Sequence, residues 1–272
     1  MSEAVRRLDV ELVARRLARS RGQARELVKA GSVLLDGTPA VKASTPVGAD
    51  QRLELVSGVQ DWVSRAAYKL AAALDAFADD GLFVTNRRCF DVGACTGGFT
   101  QVLLREGARQ VVAIDVGHGQ LAAELAGDPR VIERSGMNIR DARADDLGGP
   151  AELLVADLSF ISLRLVLAVL RDLVEPSGDL VLLVKPQFEV GRERLGKGGI
   201  VRSAGNRAMV IEEVVAAARA AGLNARGLRA SPIRGANGNA EYLLWLTRRP
   251  DEGLTTAQVT ELAVTLSTEA PT

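Results

Sequence analysis

Four charged residues stand where charge is either costly or useful. Residues 180 to 191, LVLLVKPQFEVG, run five apolar residues straight into Lys185. A lysine ending a buried strand costs free energy unless its ammonium reaches water or a partner. Asp157 closes LLVAD, Glu241 opens EYLLWL, and Lys69 lies in SRAAYKL. Each alone has a plain explanation: a strand-end acid can cap a helix, Lys69 can be a solvated helix residue, and Glu241 can simply start a strand. Each also borders an element expected near the carboxyl edge of a sheet, where ligands bind in open α/β folds. Two cations and two carboxylates gathered there could stabilise developing negative charge or move a proton.

A second group of residues points to a ligand. DVGACTGGFT puts Asp91, Gly93, Gly97 and Gly98 into one tight strand-to-helix turn, which invites a nucleotide-type molecule. Its D-x-G-x-x-x-G-G spacing differs from the G-x-G-x-x-G of dinucleotide sites. One strand later VVAID ends in Asp115, placed to accept hydrogen bonds from ribose hydroxyls as the acidic residue of dinucleotide folds does. GRERLGKG, residues 191 to 198, has phosphate-loop spacing, but Gly198 stands where Ser or Thr would hold Mg²⁺, so it reads as a mobile loop. DLSF, residues 157 to 160, occupies the place of the Asn/Asp-Pro-Pro-aromatic motif of amino-group methyltransferases without either proline. Base-amine methylation is therefore the second choice. Neither Cys89, in a strand, nor Cys95, in the glycine turn, is placed as the nucleophile of carbon-5 pyrimidine methylation.

These residues need a scaffold, and the pattern supplies one. RRCFDVGA, VVAIDV, LLVADLS, LVLLVKP and YLLWLT read as strands, with helices expected near 98 to 106, 162 to 173 and 204 to 221. That alternation is α/β and doubly wound. The tail LTTAQVTELAVTLSTEAPT reads as one more helix with a frayed end. At 272 residues, 47% hydrophobic and 25% charged, the chain has room for one or two globular domains. Two cysteines and one histidine exclude a disulfide framework and a Cys/His metal cluster, so no metal is expected. MSEAVRRLDVELVARRL has no apolar core segment and is read as neither signal peptide nor membrane span. A cytoplasmic, monomeric protein is expected.

A formal net charge of zero hides a basic start. Arg6, Arg7, Arg15, Arg16, Arg19, Arg21, Arg25 and Lys29 face only Glu3, Asp9, Glu11 and Glu26 over residues 1 to 29. Ser20 and Gln23 have the form of a capping box, and Gly31 closes the helix they open, over about residues 21 to 30. On it Arg21, Arg25 and Lys29 make one cationic stripe, with Ala24, Leu27 and Val28 opposite. An earlier helix in LDVELVARRLA turns Leu8, Leu12 and Leu17 inward, and SVLLDG and RLELV read as short strands. The plain reading of the stripe is a solvated face; the alternative is phosphate contact with RNA.

The first sixty or so residues, in this order of helix, SR, helix and GSVLLDG, resemble the S4 RNA-binding domain. The glycine turn followed by Asp115 resembles the S-adenosylmethionine site of class I methyltransferases. Lys69, Asp157, Lys185 and Glu241 match the Lys-Asp-Lys-Glu tetrad of FtsJ/RrmJ-like ribose 2′-O-methyltransferases. Together with ADLSFISL, LVKPQFEVG and GNAEYLLWL, nearly the whole chain resembles the TlyA family of hemolysin-like ribosomal RNA methyltransferases. The resemblance implies a Rossmann-like class I methyltransferase domain preceded by a small α+β S4 domain. The boundaries expected are 1–59 for the S4 domain, 60–63 for the linker and 64–272 for the methyltransferase.

It also implies S-adenosylmethionine held by Asp91, Gly93, Ala94, Gly97, Gly98, Phe99, Asp115 and Asp157, and RNA held by Arg6, Arg7, Arg21, Arg25 and Lys29. The implied reaction is cytidine ribose methylation of 16S or 23S RNA in 30S or 50S subunits, with Lys185 as base or as stabiliser of an alkoxide. Asp157 would orient Lys185, while Lys69 and Glu241 position the ribose. The family's linker tetrapeptide corresponds to Gln60, Asp61, Trp62 and Val63, with Gln60 where arginine is usual. Other classes to be tested are a membrane-active hemolysin and an RNA-binding module with an inactive methyltransferase domain.

Overall fold

A sheet buried on both faces needs strands that are apolar at successive positions, and the middle of this chain supplies them. The computed structural model describes residues 5–29, 31–56, 62–235, 237–250 and 253–269, with the side chains of Glu26 and Lys29 excepted. The chain forms two compact units, Met1–Arg65 and Ala66–Thr272. The expected linker falls partly outside the described residues, since only Trp62 and Val63 of its four positions are described. Trp62 is buried.

The first unit comprises β1 (Arg6–Arg7), α1 (Leu8–Ala14), α2 (Arg21–Lys29), β2 (Val33–Leu35), β3 (Thr38–Pro39), β4 (Pro46–Val47) and β5 (Leu53–Leu55). Strand β2 lies between β3 and β5, and β1 pairs with β4. Leu8, Leu12, Ala24, Leu27, Val28, Val33, Val47 and Leu53 form its core. The capping box forms in one direction, Gln23 N–H donating to Ser20 Oγ at 3.2 Å, while Gln23 Oε1 accepts from Arg19 N–H, one residue before the cap, at 2.7 Å. Gly31, at φ 68, ends α2 in the left-handed region. Helix α1 stops at Ala14, so the half-buried Leu17 joins the core from a turn, its N–H bonded to Leu12 O.

The second unit runs α3 (Ala67–Phe77), β6 (Arg88–Val92), α4 (Gly98–Arg105), β7 (Gln110–Asp115), α5 (Ala123–Ala126), β8 (Val131–Ser135), β9 (Ala151–Ala156), α6 (Leu167–Asp172), β10 (Val174–Val184), α7 (Pro186–Glu189), α8 (Ala204–Ala220), β11 (Asn224–Ala230), β12 (Tyr242–Thr247) and α9 (Thr256–Glu269). Its sheet has the order β11-β12-β10-β9-β6-β7-β8. Strands β8, β7, β6, β9 and β10 are parallel, and β12 runs antiparallel to β10 and β11. Strand order therefore reverses between β6 and β9, and the crevice outside that reversal is the usual ligand position in such sheets. Because β12 is reversed, its first residues sit at the same edge as the last residues of β9 and β10.

Phe90, Leu154, Leu182 and Leu244 belong to the cluster packed with α6, α8 and α9. The alternate residues Cys89, Leu153, Val181 and Trp245 are equally buried, and Phe77 of α3 meets Trp245 with ring centroids 5.6 Å apart. Burial pushes the Cys89 thiol up to about 12, which makes it inert. The middle of β10 carries its own buried acid. Asp179 accepts from Arg87 at 2.9 Å, Trp245 Nε1 at 3.0 Å and Arg249 at 2.7 Å. Strands β8 and β11, at the two edges, were not expected from the sequence; the expected helix at 162 to 173 is a 3₁₀ turn, Leu163–Leu165, followed by α6.

Candidate active site

The glycine turn is built by two close approaches. Gly93 sits at φ +82, where a Cβ would stand 2.8 Å from the Asp157 carbonyl oxygen. Gly97 sits at φ +91, where a Cβ would meet Leu125 and Leu121 side chains. A side chain at either position would be strained by conformation and by contact. The first approach has a direct consequence for the site. Asp157 N–H donates to Val92 O at 3.1 Å, so the end of β9 is fastened beside the turn that follows β6.

Lys69, Asp157, Lys185 and Glu241 come together at this edge from α3, the end of β9, the end of β10 and the start of β12. Lys185 Nζ lies 2.6 Å from Asp157 Oδ1, Lys69 Nζ 3.6 Å from Asp157 Oδ2, and Lys69 Nζ 2.7 Å from Glu241 Oε2. The side chains are 9%, 13%, 7% and 3% exposed for Lys185, Asp157, Lys69 and Glu241, so this is an ion-pair row in low dielectric. Signs alternate along it, which is what makes four buried charges tolerable. The cation at the end of the apolar strand thus has its partner. Asp157 stands between the two lysines and takes one on each oxygen.

Two further residues of DLSF, Ser159 and Phe160, also belong here. Lys185 Nζ donates to Ser159 Oγ at 2.8 Å. An ammonium has three donors; Ser159 takes one, Asp157 pairs with the charge as an ion pair, and donor capacity remains for a further acceptor. Phe160 is 91% exposed and adopts φ 64, an outlier conformation for a bulky residue. Its ring lies 5.2 Å from that of Phe188. Backbone strain of this kind is a pointer to function, visible only once the chain is folded.

Beneath the glycine turn, Asp91 is fully buried. Thr100 Oγ1 donates to its Oδ2 at 2.6 Å, while Oδ1 has no hydrogen-bond partner. Burial pushes the Asp91 carboxyl up to about 7, against the hydrogen bonds from Thr100 and helped by the negative Asp157 and Asp115. Asp115 accepts Cys95 N–H at 2.8 Å and Gly117 N–H at 2.7 Å, one on each oxygen. It therefore pins the glycine turn to the loop after β7, and each oxygen retains a lone pair for a further donor. Ala94 and Asp115 line a shallow cleft together with Gln120, Leu121, Glu133 and Ser135. Phe99 is buried in the first turn of α4, where it shapes the turn and does not line the cleft. A buried acid with one unpartnered oxygen beneath the turn and a second acid beside the cleft fit a ligand with an ammonium and a ribose.

The loop of residues 191 to 198 is tied down on its far side. Buried Asn239 accepts Val201 N–H at 2.9 Å and donates to Gly199 O at 2.9 Å. These bonds hold residues 199 and 201, just after the loop, from a residue two positions before Glu241.

In the first unit, the expected cationic stripe is not a row of independent charges. Arg21 and Arg25 of α2, with Arg7 of β1, all bond to Asp9, a buried residue of α1. Arg6 lies 3.8 Å from Glu11. The Lys29 side chain lies outside the described residues. Among the described residues no group of acids, cysteines or histidines could hold a metal ion, and no helix is long and apolar enough to cross a membrane.

Residues 62–248 match the FtsJ-like methyltransferase family, and residues 6–53 match the S4 domain. The chain is 49% identical over 249 residues to the 16S/23S rRNA (cytidine-2′-O)-methyltransferase TlyA of Mycobacterium tuberculosis, covering 91% of this chain and 92% of that protein. It is 31% identical over 254 residues to the 23S rRNA (cytidine-2′-O)-methyltransferase TlyA of Campylobacter jejuni, covering 86% and 96%. A solved structure described as a proposed hemolysin from Streptococcus thermophilus superposes with a TM-score of 0.75 at 37% identity, covering 98% of each chain.

Proposed function

The chain belongs to the TlyA family of methyltransferases that join an S4 domain to an FtsJ-like domain, and on that premise we propose that it methylates the 2′-hydroxyl of a cytidine ribose in 16S or 23S ribosomal RNA. The observation that carries the reading is the Glu241–Lys69–Asp157–Lys185 row at the edge where Gly93 and the Asp157 backbone meet. S-adenosylmethionine, when bound, supplies an electrophilic methyl group. Asp91, the Gly93–Gly98 turn and Asp115 are the residues that would hold it.

The chain's own contribution is at the acceptor hydroxyl. A ribose hydroxyl is a weak nucleophile, so catalysis must fix its position and favour loss of its proton as the new bond forms. Lys185 is ion-paired with Asp157 and hydrogen-bonded to Ser159, with donor capacity remaining for O2′, which suits stabilisation of alkoxide charge. The Lys69–Glu241 pair keeps Asp157 from being drawn away from Lys185 and walls the ribose. Phe160 offers an exposed aromatic face beside the row, suited to stacking a base turned out of its helix. The basic first unit would hold the RNA backbone. A ribosomal substrate puts the reaction in the cytoplasm.

Methyl transfer from labelled cofactor to purified 30S and 50S subunits tests this, followed by mass mapping of the digested nucleoside. The wild-type product should be a 2′-O-methylated cytidine with an unmodified base. Lys185→Ala should lower the rate on the order of 100-fold or more with cofactor affinity retained, because its contribution is made in the transition state. Lys185→Arg keeps the charge without a removable proton, so residual activity in it favours stabilisation over proton acceptance. A base-methylated product would overturn the assignment even if Lys185 proved essential.

A further inference from the structure

The reaction leaves Asp9 without a role. Its side chain is 0% exposed at the first turn of α1, yet three guanidinium groups meet on it. Arg7 donates from Nε to Oδ1 at 3.0 Å and from Nη2 to Oδ2 at 3.4 Å. Arg21 donates to Oδ2 from Nε at 3.3 Å and from Nη2 at 3.0 Å, and Arg25 donates to Oδ2 from Nε at 3.1 Å. The arginine side chains remain 48%, 53% and 55% exposed. The carboxylate is thus sunk beneath its partners while they stay in contact with solvent. These bonds, led by that from Arg7, hold the Asp9 carboxyl well below the usual carboxylate range, so it stays ionised.

We infer that Asp9 is a positioning residue, gathering arginines from two elements into one preformed receptor for an RNA backbone phosphate. The inference rests on the proposed binding of ribosomal RNA by the first unit. Arg7 comes from β1, and Arg21 and Arg25 come from α2. Three like charges would otherwise spread apart, and each long side chain would have to be ordered when RNA arrives. A shared buried anion does that ordering in advance. Arginine suits the task because its planar fork carries about five donors and matches carboxylate and phosphate alike. The five N–H groups turned to Asp9 leave the larger share of the three forks for a second anion. The arrangement gives up one unit of attraction to phosphate in exchange for order.

Charge and order predict opposite signs, which makes the inference testable. If only charge mattered, Asp9→Asn would raise the net positive charge and tighten RNA binding. If Asp9 positions the forks, the same change weakens binding to purified ribosomal subunits by roughly tenfold. It should also flatten the log-log salt dependence by about 0.7 to 0.9 for each phosphate no longer neutralised. S-adenosylmethionine affinity should not move.

Arg21→Lys is the companion variant, since it keeps the charge and a half-exposed surface position but cannot grip Oδ2 from two nitrogens; it should also bind several-fold more weakly. In a background carrying Arg7→Gln, Arg21→Gln and Arg25→Gln, Asp9→Asn should cost nothing more. A further additive loss there means that Asp9 acts through the fold alone and overturns the inference. So does wild-type or tighter binding by Asp9→Asn, or, should that variant fail to fold, wild-type binding by Arg21→Lys. If the triple glutamine variant itself binds with the wild-type salt slope, the RNA-binding reading of the first unit falls, and the role of Asp9 falls with it. If the triple variant weakens and the other two do not, only the role of Asp9 falls.

Discussion

At Asp91, burial and protonation are coupled in one side chain. Its folded pKa of about 7 lies above the unfolded value of about 3.9. Between those values the folded chain binds a proton that the unfolded chain has released. The group therefore favours folding below about pH 4 and loses that advantage as pH rises through 7. A cofactor ammonium at the free Oδ1 would favour the carboxylate. S-adenosylmethionine binding should then release a proton below about pH 7 and tighten as pH rises from about 6 to 8. Calorimetry in two buffers of unlike ionisation enthalpy measures that proton directly, and Asp91→Asn should abolish it. An affinity that is flat across this range in the wild type would separate Asp91 from the cofactor. At this scale the sequence was legible where a residue's position follows from its place on a strand, as for Asp157 and Lys185. It was silent where the role depends on a partner brought by folding, as for Ser159 on Lys185 or Asp9 under Arg21, and on the φ of Phe160.

Between elements, the ends of β9 and β10 must be held in register for Asp157 to meet Lys185, and Glu189 of α7 does part of this. Its Oε1 accepts Leu163 N–H at 2.6 Å and its Oε2 accepts from Ser162 Oγ at 2.5 Å, with Arg164 Nε at 3.3 Å. The segment after β9 is thus tied to the helix that follows Lys185. Hydrogen bonds to a charged acceptor contribute about 1.5 to 3 kcal/mol each. Glu189→Ala should lower the melting temperature by several degrees and reduce kcat with little change in cofactor affinity. An unchanged kcat in the folded variant would show that the tie does not set the Asp157–Lys185 distance. The strands that were legible, β6, β7, β9, β10 and β12, are those buried on both faces, whose apolar runs are long. The edge strands, VIERS in β8 and NARGLRA in β11, are partly exposed and carry too few apolar residues to stand out. The reversal of β12, which brings Glu241 to the edge that carries Asp157 and Lys185, is a topological fact with no local pattern behind it.

Over the whole molecule, charge is distributed by unit. Eleven Lys and Arg against eight Asp and Glu leave residues 1–65 at +3, and the formally neutral total leaves the remainder at −3. A chain neutral in sum can therefore bind a polyanion only through local concentration of cations, such as the forks around Asp9. This division predicts a kinetic separation. Replacing Arg7, Arg21 and Arg25 by glutamine takes the first unit from +3 to zero, so KM for ribosomal subunits should rise while kcat at saturating RNA and cofactor affinity hold. The rise should shrink as salt is added, because counterions displace the wild type from its phosphates and the variant has fewer phosphates to yield. Counterion release puts the difference in log-log slope at about 0.7 to 0.9 per contact, so about 2 to 3 for the three arginines together. Initial rates at several salt concentrations give both quantities. A variant whose kcat falls while KM keeps the wild-type salt slope would assign these arginines to the chemistry or the fold, and would leave the capture of RNA to the second unit despite its negative charge.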